Sequence, residues 1–349
     1  MNSEIINTAE MTPAKWWEPA EKNKILCTLC PRYCKMGEGQ PGFCYIRQNH
    51  GGKLYTLGYG RPTGFALDPI EKKPLNHFLP GTAVLSFGTA GCNLGCKFCQ
   101  NWSISKAKLD DSNSLKCSPE EVVMLAKKYN SPSIAYTYND PTIFGEYVID
   151  ISKIAREEGI KNVMVTAGYI DKEARKEVYR FADAANVDLK GFTERFYNKI
   201  TFSSLKDVLD TLVWLKHETD IWFEITTLLI PGENDSADEI KRESGWILEN
   251  LGDSVPLHFT AFHPDFRMTD KGPTPSATLK AARKIAADAG IKFVYVGNVH
   301  DREGQTTYCP GCGAALIKRD WHSVLSNNIN EGECGKCGMK IPGVFANEY

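Results

Sequence analysis

The sequence predicts an α/β fold: a full or partial barrel of repeated strand-helix units, flanked by two cysteine-rich ends. Three observations predict it. First, seven apolar stretches recur through the middle of the chain: AVLSF (83–87), SIAYTY (133–138), NVMVTA (162–167), NVDLK (186–190), IWFEITTLLI (221–230), LHFTAF (257–262) and KFVYV (292–296). Stretches this apolar are strands buried on both faces, as in a parallel sheet. Second, helical segments such as PEEVVMLAKKY (119–129) and PSATLKAARKIAADAG (275–290) lie between them. Strand-helix alternation over this length is the pattern of a βα barrel. Third, 11 of the 12 cysteines fall into three tight clusters, two of them outside the alternating region.

The chain divides accordingly. Residues 1–80 are Gly- and Pro-rich with little periodicity and form a cysteine-rich metal-binding segment. Residues 81–300 form the barrel, and residues 301–349 form a short Cys/Gly tail. At 349 residues the length is adequate for a substantial core. The first predicted helix carries its own start signal: Ser118, Pro119 and Glu121 form a capping box with proline in the first turn. No internal repeat or low-complexity segment is present.

A net charge of -2 favours neither nucleic acid nor an anionic membrane as partner. The N-terminus has no apolar run of the secretory kind, and no stretch approaches the ~20 residues of a membrane helix. A cytoplasmic protein is expected. Cysteines grouped at two- and three-residue spacings then point to metals rather than disulfides.

The central cluster, SFGTAGCNLGCKFCQNW, follows the first strand directly. Cys92, Cys96 and Cys99 have the spacing CxxxCxxC. An ordinary 4Fe-4S cluster takes four thiolates. Three leave one iron open, which suits catalysis better than simple electron transfer. Zinc sites prefer paired CxxC knuckles and four ligands. In barrels of this kind the chemistry gathers at the C-terminal ends of the strands.

The C-terminal cysteines do have the zinc pattern. Cys309/Cys312 and Cys334/Cys337 are two CxxC knuckles, each followed by Gly, and predict a structural zinc ribbon, with rubredoxin-like iron as the alternative. Cys27, Cys30, Cys34 and Cys44 form a third set, CxxCxxxC followed by a distant cysteine. Their spacing does not decide between zinc and an auxiliary iron-sulfur cluster.

The CxxxCxxC loop, with an aromatic before its last cysteine, resembles the hallmark of the radical S-adenosylmethionine (SAM) superfamily. The longer string EKKPLNHFLPGTAVLSFGTAGCNLGCKFCQNW is similar to the pyruvate formate-lyase activating enzyme-like group, and within it to the AmmeMemoRadiSam-system radical enzymes. The resemblance implies a partial (β/α)6-type barrel, a 4Fe-4S cluster on Cys92, Cys96 and Cys99, and SAM chelated to the open iron. It implies an acidic strand-end element for the cofactor's amino group, matched by Asn139 and Asp140 in YTYNDP. Relatives usually have Glu where this chain has Asp140, and Asp140 before Pro141 is equally a helix N-cap. It implies further that Lys190 of VDLKGF and His263 of FTAFHP reach the cofactor carboxylate, that Asp188 helps form a small cation site beside it, and that Gly297 and Asn298 form a turn facing the adenine or methionine. Gly168 in VTAGY allows a close backbone approach.

The reaction so implied is reductive cleavage of SAM to methionine and a 5'-deoxyadenosyl radical. That radical abstracts hydrogen from an unidentified substrate, with the electron supplied by an external donor such as flavodoxin or ferredoxin. Activation of a glycyl-radical enzyme, with a protein partner, is one alternative. A non-enzymatic iron-sulfur/zinc electron-transfer module is another. The extra cysteines of many glycyl-radical activases follow the radical motif, whereas here they precede it.

Overall fold

A computed structural model describes residues 11–345. All seven apolar stretches are strands of one sheet. We label them with the strand that precedes them: β1 (Thr63–Pro69), β2 (Ala83–Gly88), β3 (Ser133–Tyr136), β4 (Lys161–Thr166), β5 (Ala184–Asp188), β6 (Trp222–Leu229), β7 (Leu257–Ala261) and β8 (Val294–Gly297). The sheet order is sequential, β8-β7-β6-β5-β4-β3-β2-β1, and its two ends do not pair, so the barrel is partial. Strands β2 to β8 are parallel, and β1 pairs antiparallel with β2 at the edge.

Each parallel step is bridged by a helix: α1 (Pro119–Lys128), α2 (Gly145–Glu157), α3 (Lys172–Val178), α4 (Leu205–Glu218), α5 (Ala237–Asn250) and α6 (Ser276–Ala289). Helix α1 starts where its capping box predicts: Ser118 N–H donates to Glu121 at 2.6 Å and Glu121 N–H donates back to Ser118 Oγ at 3.3 Å. Strands β3 and β7 are buried along their whole length, as two-sided coverage requires. Among the described residues no helix is long and apolar enough to cross a membrane.

The N-terminal region is not featureless. Trp17–Ala20, Lys24–Cys27 and Lys35–Met36 form one small antiparallel sheet, and Thr12–Pro13, Arg47–His50 and Lys53–Thr56 form another. A buried ion pair fastens them to α2. Arg47 Nη1 donates to both oxygens of Glu146 at 2.9 Å, and Lys15 N–H donates to the same carboxylate at 2.8 Å. Both charged side chains are almost wholly buried, so removing either would strand the other in a low-dielectric site.

The C-terminal tail is a small sheet of Thr307–Tyr308, Ala315–Asp320 and Ser323–Asn327 followed by the Ile329–Asn330/Glu333–Cys334 hairpin. Its four cysteine sulfurs all lie within 4.8 Å of one another. Cys309 to Cys337 is 3.6 Å and Cys312 to Cys334 is 3.8 Å. Four sulfurs at ~2.3 Å from one tetrahedral ion stand ~3.8 Å apart, so the quartet has the dimensions of a single-ion site.

Arg319, 1% exposed, carries the tail into the barrel. Its guanidinium donates to Asn76 O at 2.7 Å and to Thr307 Oγ1 at 2.9 Å. The chain continues through Thr307 to Tyr295 (2.8 Å), from Tyr295 to His77 Nε2 (2.6 Å) and from His77 Nδ1 to Pro342 O (2.7 Å). Arginine only donates and a carbonyl only accepts, so the two ends orient every hydroxyl between them. His77 must carry its proton on Nδ1 and accept at Nε2.

Burial pushes the His77 imidazole down to about 4, the nearby Glu224 carboxylate only partly opposing it. The unfolded chain, with His near 6.5, takes up this proton first. Stability from neutral His77 is therefore complete above pH ~6.5 and lost as pH falls toward ~4. The unfolding free energy of the wild type, measured by urea titration, should fall between pH 7 and pH 4.5 by ~2–3 kcal/mol more than that of His77→Asn. Parallel pH profiles for the two proteins would rule this out.

Candidate active site

Strand β2 ends at Gly88, and the loop that follows carries the three central cysteines. The loop is held from outside. Gly95 N–H donates to Thr201 O at 2.8 Å, Lys97 N–H to Ile200 O at 3.0 Å and Gly91 N–H to Ile104 O at 3.0 Å. Gly91 has φ +87°, and a Cβ on it would lie 2.0 Å from the Cys44 carbonyl oxygen, so the N-terminal cysteine loop touches this one backbone to backbone. Cys27, Cys30, Cys34 and Cys44 line a small cavity of their own. Asn139, at the end of β3, donates to Gly91 O at 2.8 Å and to Thr89 Oγ1 at 3.1 Å, and accepts from Thr89 N–H at 3.3 Å. Asn139 is thus a fastener of the cysteine loop. Phe98, the aromatic before the last cysteine, is buried beside Phe196, with their ring centroids 6.1 Å apart.

Cys92, Cys96 and Cys99 line one wall of a cavity of about 440 Å³ at the C-terminal ends of the strands. That volume falls within the ~300–1,000 Å³ of small-molecule sites. Asn139, Asp140, Asp188, Lys190, Gly297 and Asn298 line it too. Residues from β3, β5 and β8, more than 150 positions apart in sequence, therefore share one cavity with the thiols. Gly168 and His263 are not among its lining residues. Gly168 has φ +65°, and a Cβ there would meet Val187 at 3.2 Å, so its glycine is required by the turn after β4. The His263 side chain is 58% exposed and bonds through Nδ1 to Gln100, at 2.9 Å.

Burial disfavours the thiolate form of Cys92 and Cys96, and nearby lysines oppose that effect. Burial alone would lower the Lys190 ammonium, but Asp188 and then the Cys96 sulfur outweigh it and hold the lysine charged. Lys190 Nζ lies 2.9 Å from Asp188 Oδ2 and 5.9 Å from the Phe98 ring. Burial pushes the Cys92 thiol up to about 12 and Cys96 up to about 11, with Lys190 and Lys106 opposing at Cys96. Binding a metal here must displace these protons, and adjacent lysines favour the charged form that results. The donors, charge and adjoining space fit a thiolate-bound cluster with a small molecule beside it.

Asp140 is both cap and cavity residue. It is fully buried, and burial raises its carboxyl. It accepts from Thr142 N–H (3.0 Å), Ala167 N–H (2.8 Å) and the Thr166 hydroxyl (3.1 Å). Three donors on a group with about four lone-pair sites leave one for a ligand.

Other cavity residues carried no sequence signal as site residues. Asp68 on β1 receives Lys72 and Lys73, each at 2.7 Å, and the Tyr138 hydroxyl at 3.0 Å. Lys72, Lys73 and Tyr138 line the cavity. His258 of β7 also lines it, and its Nε2 lies 2.7 Å from the buried Glu224. Burial would raise that carboxyl, but the histidine bond keeps it below the usual carboxylate range. Trp321 and His322, in the hairpin turn of the C-terminal tail, complete the wall. The string EKKPLNHF contains Lys72 and Lys73, whose partner Asp68 lies just before it, whereas Tyr138 is brought to Asp68 by folding.

Comparison with known proteins now gives the site a context. The radical SAM superfamily model matches residues 87–243, which include the cysteine loop. An uncharacterized protein of Methanocaldococcus jannaschii is 44% identical over 333 residues, 95% of this chain and 99% of that protein. The pyruvate formate-lyase-activating enzyme of Clostridium pasteurianum is 22% identical over 202 residues, 53% of this chain and 76% of that enzyme. Among solved structures, a radical SAM methyltransferase from Sphaerobacter thermophilus superposes with a TM-score of 0.53 at 14% identity, covering 83% of this chain and 78% of the other. At that identity the likeness concerns the fold alone. The family match across the cysteine loop, extended by a relative of nearly full length, establishes that the chain belongs to the radical SAM superfamily, as an enzyme similar to the pyruvate formate-lyase-activating enzymes.

Proposed function

We propose that this enzyme cleaves SAM reductively in the β-strand-end cavity and uses the resulting radical on a small substrate held beneath the C-terminal tail. The observation that carries this reading is the meeting of three cysteines, the Lys190/Asp188 pair and the β8 turn around one cavity. Cys92, Cys96 and Cys99 would hold a 4Fe-4S cluster, leaving its fourth iron to the cofactor. Bound there, the cluster would supply the one electron needed for reductive cleavage of SAM.

The chain's own residues then have distinct tasks. Lys190 meets the cofactor carboxylate as a charged donor, and Asp188 holds it in place. Asp140 offers its remaining acceptor site to the ammonium while Asn139 keeps the cysteine loop in register. His263 acts through Gln100, which lines the cavity. Gly297 and Asn298 border the far side, and the Asn298 amide is tied to Ala261 O at 3.2 Å. The tail's four cysteines hold structural zinc, and their closed shell leaves no place for substrate. The enzyme works in the cytoplasm with a flavodoxin- or ferredoxin-type donor.

The Trp321–His322 turn favours a small substrate, because it walls the cavity that a protein loop would have to enter. The likeness to an activating enzyme supports the second reading, activation of a glycyl-radical enzyme. The long string around the cysteine loop supports placement with the AmmeMemoRadiSam-system enzymes. Deuterium transfer from candidate substrates into 5'-deoxyadenosine separates these readings.

Changing Cys92, Cys96 and Cys99 together to Ala should remove about four irons per chain and abolish SAM cleavage. Full iron content with cleavage intact would refute the assignment. Lys190→Ala should keep its iron and bind SAM roughly tenfold to a hundredfold more weakly, the worth of one charge-assisted contact. Equal affinity in a SAM titration of the reconstituted protein would place the carboxylate elsewhere.

A further inference from the structure

Strand β7 puts a histidine with a free ring nitrogen on the cavity wall. Behind it lies Glu224 of β6, fully buried. The Glu224 carboxylate takes four hydrogen bonds, two on each oxygen. The His77 N–H donates to Oε1 at 2.7 Å and Trp222 Nε1–H at 3.1 Å. The Asn76 N–H donates to Oε2 at 3.0 Å, and His258 Nε2 meets the same oxygen at 2.7 Å. A carboxylate has about four lone-pair sites, so these neighbours fill it and leave no place for a proton. His258 must therefore present Nε2–H. Its other nitrogen, Nδ1, has no hydrogen-bond partner among the described residues, and it is not sealed from the cavity that the ring lines. Glu224 itself is not among the lining residues, so it acts on the cavity only through this ring.

The sheet register fixes where this nitrogen stands. Asp188, Thr226 and His258 are partners across β5, β6 and β7, and all three line the cavity. Neighbouring strands lie ~4.8 Å apart, so His258 stands roughly 10 Å along this rung from Asp188, the partner of Lys190. The next rung toward the rim is Leu228, Thr260 and Gly297, cavity residues as well. His258 thus lies about 7 Å deeper than the Gly297 turn, beneath the residues assigned above to the cofactor. Another part of the wall supplies a cation. Lys72 and Lys73 both close on Asp68, at 2.7 Å each, which leaves one positive charge in excess. The Lys73 side chain is 3% exposed, and Asp68 Oδ2 is the one acceptor its three donors meet among the described residues. A buried charge in excess is costly until an opposite charge meets it. Beside this group Arg319 and Glu71 offset each other. The segment bearing Lys73 also gives Glu224 the Asn76 and His77 amides, so the ammonium and the imidazole belong to one packed unit.

We propose that this deep wall is the substrate subsite and takes a small anion bearing a hydroxyl or amino group, with its charge on Lys73 and its O–H or N–H on His258 Nδ1. The substrate class so named rests on the SAM-cleaving reading above. The substrate loses a hydrogen atom from the carbon beside its heteroatom: that C–H bond breaks, and a C–H bond of 5'-deoxyadenosine forms. An unpaired electron beside oxygen or nitrogen makes the O–H or N–H more acidic, and its proton passes to Nδ1. The O–H or N–H electron pair stays on the substrate, so this transfer needs no oxidant or reductant. The imidazolium that forms is stabilised by Glu224 through Nε2–H. His258 is the general base of this step, and Glu224 is its positioning residue.

The test uses the full-length holoenzyme. Nitrogen NMR of protein labelled in its histidine rings, with His258→Gln to assign the signal, should show His258 protonated on Nε2 alone at mildly alkaline pH. A proton on Nδ1 would overturn the base. The substrate class is tested with wild type, SAM, dithionite and an extract of bacteria grown in heavy water, then exchanged into ordinary water so that only carbon-bound deuterium remains. The extract is divided into proteins, small molecules retained by an anion exchanger and small molecules that pass through it. Deuterium should enter 5'-deoxyadenosine from the retained fraction. Transfer only from the unretained fraction, only from protein, or from none of the three would overturn the anion. Lys73→Gln should need roughly tenfold to hundredfold more of the retained fraction for half-maximal transfer. His258→Gln keeps a donor for Glu224 but no base, and should slow the maximal rate on the order of a hundredfold. Both are compared with wild type at equal iron content, and unchanged values in either variant would remove that residue from the subsite. If no 5'-deoxyadenosine forms even without extract, the SAM-cleaving reading fails, while the ring NMR still decides the base.

Discussion

A loop that must point three thiolates at one space cannot hold itself in shape, and the structure around it follows from that constraint. The cysteine loop has no ladder of its own to satisfy its backbone. Its amides and carbonyls are taken up by Thr201 and Ile200 from before α4, the Asn139 side chain from after β3, and Ile104 from the turn that follows the loop itself. An unmet buried peptide group costs roughly 1–3 kcal/mol, so these outside partners decide whether the loop has one conformation or many. The parallel sheet supplies the remaining half, because adjacent strands end together and bring Asp140, Asp188 and the β8 turn to the same rim.

The same economy explains the tail. The ribbon has only a small core, Leu316, Ile317 and Ile341 packed with Phe293 and Tyr295, and a metal on its four cysteines would add to that order. Its position comes from Arg319, whose buried charge is met by carbonyls, a hydroxyl and Glu71 at 3.5 Å rather than by one partner. Distributed acceptance of this kind makes a buried cation tolerable and orients what it touches. The turn bearing Trp321 and His322 is thereby held against the cavity, and the ribbon becomes part of the active-site wall.

Much of this was legible in the sequence. Two-sided burial writes itself as apolar runs, and all seven runs are strands of the sheet. The Ser118 capping box is a local device, so the start of α1 could be read directly. Strand β1 was not legible: TGFALDP is half-exposed, contains Gly64, and pairs only at the edge. Nor were the contacts of Asp68 with Tyr138, or of Glu224 with His258, because each joins residues whose proximity is a product of topology. Asp140 was legible in two ways at once, as cap and as ligand. The structure shows the cap bond and places the same side chain on the cavity, because a strand end followed by a helix start is one place in a βα unit.

The contact between Gly91 and Cys44 has a consequence for how such a chain can change. A side chain at position 91 would have to displace the backbone of the N-terminal cysteine loop, not merely a flexible neighbour. Residues 11–80 are therefore no detachable accessory. A lengthened loop before Cys44, or a bulkier residue before Cys92, would shift both cysteine loops together. Exchange of N-terminal segments between distant members of the superfamily would succeed only if the two loops travelled as a matched pair.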